Sequence, residues 1–253
     1  MKDPAAPHPS QARGGSLHRG RSSRLRSVLF DMDGTLVQTE EYWSEALFEL
    51  AAALGGRMSA EARASTVGTS MQRAIGVLHA DLGVVRSEQQ ALADARWVEE
   101  RVAELMGGGI PWRPGARELV AAVRAAGLRS ALVTTTPRRL TDIVLARMIA
   151  DLGDDPFDTT VCGDEVPARK PDPAPYLQAM AALGVRPEDS VVIEDSLVGV
   201  TAGLAAGAAV LGVAGLQPVP PANGLTHVDT LAGIGVPELA DVLAARHVEY
   251  SAP

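Results

Sequence analysis

From Arg117 onward, short apolar runs alternate with segments whose apolar residues recur at helical spacing. Leu119, Val120, Val123 and Ala126 mark a helix that ends at Gly127, and Ser130 to Thr134 follows as a strand. The pattern then predicts a helix over Arg139 to Ile149, a strand over Thr159 to Cys162 and a helix over Pro173 to Leu183. Val191 to Ile193 is a fully apolar strand, Leu197 to Ala206 a small-residue helix stopped by Gly207, and Val210 to Val213 a further strand. This alternation predicts an α/β fold with a doubly wound, Rossmann-like parallel sheet covered by helices on both faces. Between Leu36 and Pro114 the pattern is helical without strands, beginning with Trp43, Ala46, Leu47, Leu50, Ala51 and Leu54 on one face. That stretch is expected to be an inserted α-helical cap over residues 38–113, with the α/β core in 27–37 and 114–247. Val37 to Thr39 and Gly107-Gly108-Gly109-Ile110-Pro111 are expected as its hinges, and Gln217 to Asn223 as a loop.

A chain of 253 residues can bury a sizeable core. Residues 1–26 are rich in Pro, Gly, Ser and Arg and carry Lys2, Arg13, Arg19, Arg21, Arg24 and Arg26 against Asp3, a charge of +5. They are expected to be a disordered basic tail without an assigned function. The whole chain carries −8, so the remainder carries −13, which argues against a nucleic-acid groove. No apolar run approaches the roughly 18 residues of a membrane span, and residues 1–26 hold no apolar secretory core. Cys162, the only cysteine, excludes an internal disulfide and fits a reducing cytoplasm, where it is expected as a packed thiol inside a strand. Lysine occurs only at Lys2 and Lys170, beside twenty-one arginines (23 less 2), so Lys170 is the one ammonium outside the tail. A monomer is the expected state.

Candidate chemistry concentrates where strands end. In Val28-Leu29-Phe30-Asp31-Met32-Asp33-Gly34-Thr35-Leu36, two carboxylates lie two residues apart as an apolar strand becomes a glycine turn. Asp31 is placed as a nucleophile and Asp33 for proton transfer. Leu132-Val133-Thr134-Thr135 closes a second strand with hydroxyls, Lys170 sits between prolines in Pro167-Ala168-Arg169-Lys170-Pro171-Asp172-Pro173, and Val191-Val192-Ile193-Glu194-Asp195-Ser196 ends a third strand in adjacent acids. In a doubly wound sheet these strand ends converge on one ligand, here a phosphate. A dianion facing Asp31, Asp33, Glu194 and Asp195 with only Lys170 opposing them demands a cation, and an all-oxygen set suits Mg²⁺.

These four ordered motifs resemble the haloacid dehalogenase-like hydrolases, in the beta-phosphoglucomutase and phosphoglycolate phosphatase-like branch, from about Val28 to about Gly215. The resemblance implies a Mg²⁺-dependent phosphatase of a small phosphomonoester that works through an aspartyl phosphate. It implies that Thr134 donates to a phosphoryl oxygen and that Lys170 neutralises charge between Asp31 and the phosphate. It also implies metal ligation by Asp31, the Asp33 carbonyl and Asp195, with Glu194 behind them. Thr134, Thr135, Lys170, Trp43 and Thr69 are the expected substrate contacts, with Ser70 and Arg73 further cap candidates. A sugar-phosphate mutase is the alternative. Mutases of this branch carry a cap histidine in a Thr-x-x-Tyr-His context, and Thr39-Glu40-Glu41-Tyr42-Trp43 places Trp43 there, which favours water as the acceptor. The absence of any lysine from the cap argues against a Schiff-base phosphonate hydrolase. His79 and His227 are expected to be solitary, solvated or packed; Arg138 and Arg139 are helix-surface residues within reach of substrate; and Thr35 is expected to satisfy the loop.

Overall fold

The computed structural model describes residues 24–248. Most of the expected basic tail, residues 1–23, lies outside the described residues, but its last three residues belong to the fold. Leu25 is buried, and Arg26 donates its amide to the Asp189 carbonyl and accepts from that of Arg129.

Six parallel strands form one sheet in the order β3-β2-β1-β4-β5-β6. They are β1 (Ser27–Phe30), β2 (Arg129–Val133), β3 (Thr159–Val161), β4 (Ser190–Glu194), β5 (Ala209–Val213) and β6 (Leu225–Val228). Around them pack α5 (Ala116–Ala125), α6 (Arg138–Leu152), α7 (Ala174–Leu183), α8 (Leu197–Ala205) and α9 (Val236–Val248). Phe30 at the end of β1 is in register with Leu132 on one side and Ile193 on the other, so three strand ends sit side by side. Successive residues of β1 enter different cores: Val28 and Phe30 join Leu132, Leu140, Ile193 and Leu239, while Leu29 joins Ala131, Val133, Tyr176, Val192 and Val210. Burial on both faces explains why these strands read as continuous apolar runs.

Helices α1 (Glu40–Ala53), α2 (Ala60–Thr66), α3 (Met71–Leu82) and α4 (Glu88–Met106) form the cap. The side chains of Ser59, Ser70 and Ser87 each accept an amide in the first turn of the helix they precede, which satisfies one of the otherwise orphaned donors. The apolar face of α1, with Ala46, Leu47, Leu50 and Ala51, packs on α4 around Ala95, Val98 and Val102. His79 is not solitary: its Nε2 lies 2.9 Å from Asp94 Oδ2, and Arg86 donates 2.9 Å and 2.7 Å bonds to the same carboxylate. The two chain crossings between cap and core run antiparallel, Gln38 donating to the Pro111 carbonyl and Arg113 to that of Leu36.

Cys162 lies one residue beyond β3 rather than inside a strand, although it is buried as expected. The elements β6 and α9 were not anticipated from the pattern. In β6 the run Leu225-Thr226-His227-Val228 forms a half-exposed edge strand, where a polar, solvent-facing sequence carries little strand signal.

Candidate active site

Strand β1 delivers Asp31 to the carboxyl edge of the sheet, and Gly34 turns the chain immediately afterwards with φ +80°. A side chain at Gly34 would be strained in that conformation and would strike the Asp195 carboxylate. Behind the cluster, Gly199 on α8 leaves room for the carboxylate of Glu194, which a β-carbon would overlap. Glycines therefore set how closely the acids approach.

Lys170, only 2 % exposed at its side chain, is the hub of the site. Its Nζ donates to Asp31 Oδ1 (2.7 Å), Glu194 Oε1 (2.6 Å) and the Val133 carbonyl (2.9 Å), and it lies 4.9 Å from the centre of the Tyr176 ring. Glu194 is fully committed. Its Oε1 also accepts from the Tyr176 hydroxyl at 2.7 Å, and its Oε2 accepts from the Asp195 and Ser196 amides and the Ser196 hydroxyl. Asp195 Oδ1 accepts from Thr35 Oγ1 at 3.0 Å, whereas Oδ2 is buried with no hydrogen-bond partner among the described residues.

Asp31, Glu194 and Asp195 each offer an oxygen within 4.8 Å of the others, a buried cluster of three acids. Burial first, and the Glu194 charge second, push Asp31 up to about 8 despite the opposing pull of Lys170. Burial and then the charges of Asp31 and Glu194 push Asp195 well above the usual carboxylate range. Burial would lower the Lys170 ammonium, but Asp31 and Glu194 outweigh it and hold it above its ordinary value. One ammonium does not balance three carboxylates. The surplus charge and the orphaned Asp195 oxygen fit a hard divalent cation bound by oxygen ligands.

The Asp33 carboxylate stands outside that cluster. Its Oδ1 accepts from Thr39 Oγ1 at 2.5 Å and from the Trp43 indole N–H at 3.1 Å, and its Oδ2 accepts from Thr136 Oγ1 at 2.7 Å. Donors from the cap and from the loop after β2 thus meet on one side chain. Trp43, expected as a substrate contact, reaches the cleft but spends its only polar hydrogen on Asp33.

These residues face a cleft between core and cap. Asp31, Asp33, Lys170, Asp195, Trp43, Thr69 and Thr135 line it. Thr134 does not. Its hydroxyl accepts the Thr136 amide and lies 3.4 Å from Asp33, so the cleft is lined instead by Thr135 and Thr136. Nor do Ser70, Arg73, Arg138 or Arg139 line the cleft. Ser70 caps α3, Arg73 is exposed, and Arg138 is engaged by Glu165. Missed by the sequence were Thr136, Tyr176, Glu40 and Arg63. Thr136 is one step beyond Thr134-Thr135, and Tyr176 lies inside an apolar helix; Glu40 is an unspecified position within Thr39 to Trp43, and Arg63 belongs to no motif.

Residues 25–207 match the family model described as haloacid dehalogenase-like hydrolase. The chain belongs to the haloacid dehalogenase-like hydrolases. Among relatives, Protein CbbY of Rhodobacter capsulatus is 33% identical over 72% of this chain and 82% of its own length. The phosphorylated carbohydrates phosphatase of Thermotoga maritima is 34% identical over 72% and 82%. A crystal structure of a CbbY variant from Rhodobacter sphaeroides in complex with xylulose 1,5-bisphosphate superposes with a TM-score of 0.72. It is 30% identical and covers 85% of this chain and 99% of that one. This haloacid dehalogenase-like hydrolase is therefore an enzyme, and its six-stranded sheet with a helical cap is the architecture expected of the family. Among the described residues no helix is long and apolar enough to cross a membrane.

Proposed function

We propose that this hydrolase is a cytoplasmic, Mg²⁺-dependent phosphatase of a small phosphomonoester, a phosphorylated sugar or polyol, and that it works through an aspartyl phosphate on Asp31. The observation that carries the reading is the division of labour between two aspartates. Asp31 is held through Oδ1 by Lys170 while its Oδ2 accepts no hydrogen bond among the described residues, and Asp33 is held apart by Thr39, Trp43 and Thr136. The phosphatase among the relatives supports the same class of substrate.

In this reading the free oxygen of Asp31 attacks phosphorus, the P–O ester bond breaks, and Asp33 gives its proton to the departing alkoxide. Asp33 then takes a proton from water as that water attacks the phosphorus of the acyl phosphate, which releases inorganic phosphate and restores the Asp31 carboxylate. Thr135, which lines the cleft, would donate to a phosphoryl oxygen, Thr136 keeps its hydroxyl hydrogen on Asp33, and Lys170 would offset charge between Asp31 and the incoming group. Mg²⁺, held by Asp31, Asp195 and the backbone carbonyl of Asp33 with Glu194 behind, would keep Asp31 ionised and neutralise phosphoryl charge. The cap crossings at 37–39 and 107–111 are the proposed hinges for substrate entry. Trp43 carries no titratable group beside Asp33, so nothing at that place shuttles a proton to a sugar hydroxyl, and water is the acceptor.

The test is phosphate release from sugar and polyol monophosphates with millimolar Mg²⁺ and with EDTA. Release that requires the metal is expected; isomerisation of a hexose 1-phosphate that outpaces release would overturn the reading. The acid cluster gives a second expectation. Asp31 binds its proton more tightly folded (about 8) than at its ordinary value of 3.8, so its contribution to stability is full below about pH 4 and is lost as pH rises through 8. In EDTA the thermal midpoint should therefore fall between pH 6 and pH 8.5, and millimolar Mg²⁺ should flatten that slope. A flat or rising midpoint in EDTA would contradict it.

A further inference from the structure

Two cap residues from different helices, Glu40 on α1 and Arg63 on α2, face each other on the cap side of the cleft. Arg63 on α2 donates from Nη2 to Glu40 Oε2 at 2.5 Å and to the Glu40 carbonyl at 3.0 Å, from Nε to Ser44 Oγ at 2.9 Å, and from Nη1 to Thr66 Oγ1 at 3.0 Å. Four of its five N–H donors are thus occupied inside the protein. Glu40 Oε1 accepts no hydrogen bond among the described residues, and Thr69, whose hydroxyl donates to the Thr66 carbonyl at 2.7 Å, has lone pairs to spare. The cap end therefore offers oxygen acceptors and a single remaining N–H.

Charge accounting leads the same way. The ionisable residues that line the cleft are Asp31, Asp33, Glu40, Asp195, Arg63 and Lys170, four acids against two bases. Lys170 is already shared by Asp31 and Glu194, and Arg63 is paired with Glu40. A second phosphate at the cap end would meet a carboxylate and a guanidinium that is already neutralised. A hydroxyl, which both donates and accepts, meets partners for both roles.

We infer that the Arg63–Glu40 pair makes the cap end of the cleft a hydroxyl-reading subsite that rejects a second phosphate, so that the substrate is a monophosphate with an uncharged polyhydroxy far end. This deepens the phosphatase reading and rests on it for the orientation of the ester.

The experiment compares hexitol 6-phosphate with hexitol 1,6-bisphosphate, ligands that share a carbon skeleton and differ by one phosphate. Binding of each to the Asp31→Asn protein in Mg²⁺ is measured by titration calorimetry, and phosphate release by the wild type is measured separately. The monophosphate should bind at least about tenfold more tightly. Adding Glu40→Gln should free the Arg63 charge and reduce that ratio at least about fivefold. If the double variant does not fold, the ratio in Asp31→Asn alone decides. Equal or tighter binding of the bisphosphate, or binding of neither ligand, overturns the inference. A preserved ratio in a wild type that hydrolyses nothing would sink the phosphatase reading and leave the subsite standing.

Discussion

Asp31→Asn should lower kcat/KM for phosphate release by at least about 10⁴-fold while leaving the protein folded. The amide is a poor nucleophile at phosphorus, and no neighbour can replace it. Glu194 is occupied on both oxygens, by Lys170 and Tyr176 on one side and by the Asp195 and Ser196 amides on the other. Asp195 has a free oxygen but lies on a different strand end, with its Oδ1 tied to Thr35. Asparagine keeps the shape of the side chain and an oxygen able to accept from Lys170 at the Oδ1 position. It also removes one charge from a cluster of three buried acids, so the thermal midpoint in EDTA at pH 8 should be unchanged or higher. Loss of activity with retained or increased stability distinguishes a nucleophile from a structural acid. Residual turnover above about one per cent, with the same metal dependence, would remove Asp31 from that role.

Much of this site was legible because its parts lie at strand ends. Val28 to Phe30, Leu132 to Val133 and Val191 to Ile193 are buried on both faces, so their apolar runs mark the strands and the next polar residue marks the edge. Lys170 stood out as the one lysine beyond Lys2, held between prolines. What the sequence concealed are contacts whose partners share no pattern. Glu40 and Arg63 meet across 23 positions, and their pairing depends on how α1 and α2 pack after the turn between them. Trp43 was legible as a residue facing the cleft, but the aim of its N–H at Asp33 depends on where the cap seats on the core. Of the hydroxyl run, Thr135 is expected at the cleft and lines it, whereas Thr136, which also lines it, carries no signal of its own. Thr134 closes the strand, yet the chain turns so that Thr135 and Thr136 line the cleft. Strand β6 was lost because an exposed edge needs few apolar residues.

Lys170→Met should cost both stability and activity, and in a way that depends on pH. Methionine retains most of the apolar stem but none of the three donors, and Asp31 and Glu194 lose the charge that lies 2.7 Å and 2.6 Å away. Breaking a buried pair by removing one partner costs about 3–5 kcal/mol, because the remaining ion keeps its desolvation penalty. Here two carboxylates are left, so the cluster takes up protons and the loss should grow as pH rises from 6 to 8, where those protons must be given up. Urea midpoints at the two pH values measure this directly. Millimolar Mg²⁺ should restore part of the stability, since it supplies charge to the same acids. It should not restore turnover, which should remain at least about 100-fold below wild type. The reason lies in the geometry: the Val133 carbonyl, Asp31 and Glu194 fix the ammonium at one point, and a cation held by Asp31 and Asp195 cannot occupy that point as well. A variant with wild-type urea midpoints at both pH values would show that Lys170 is not the counter-charge of the cluster.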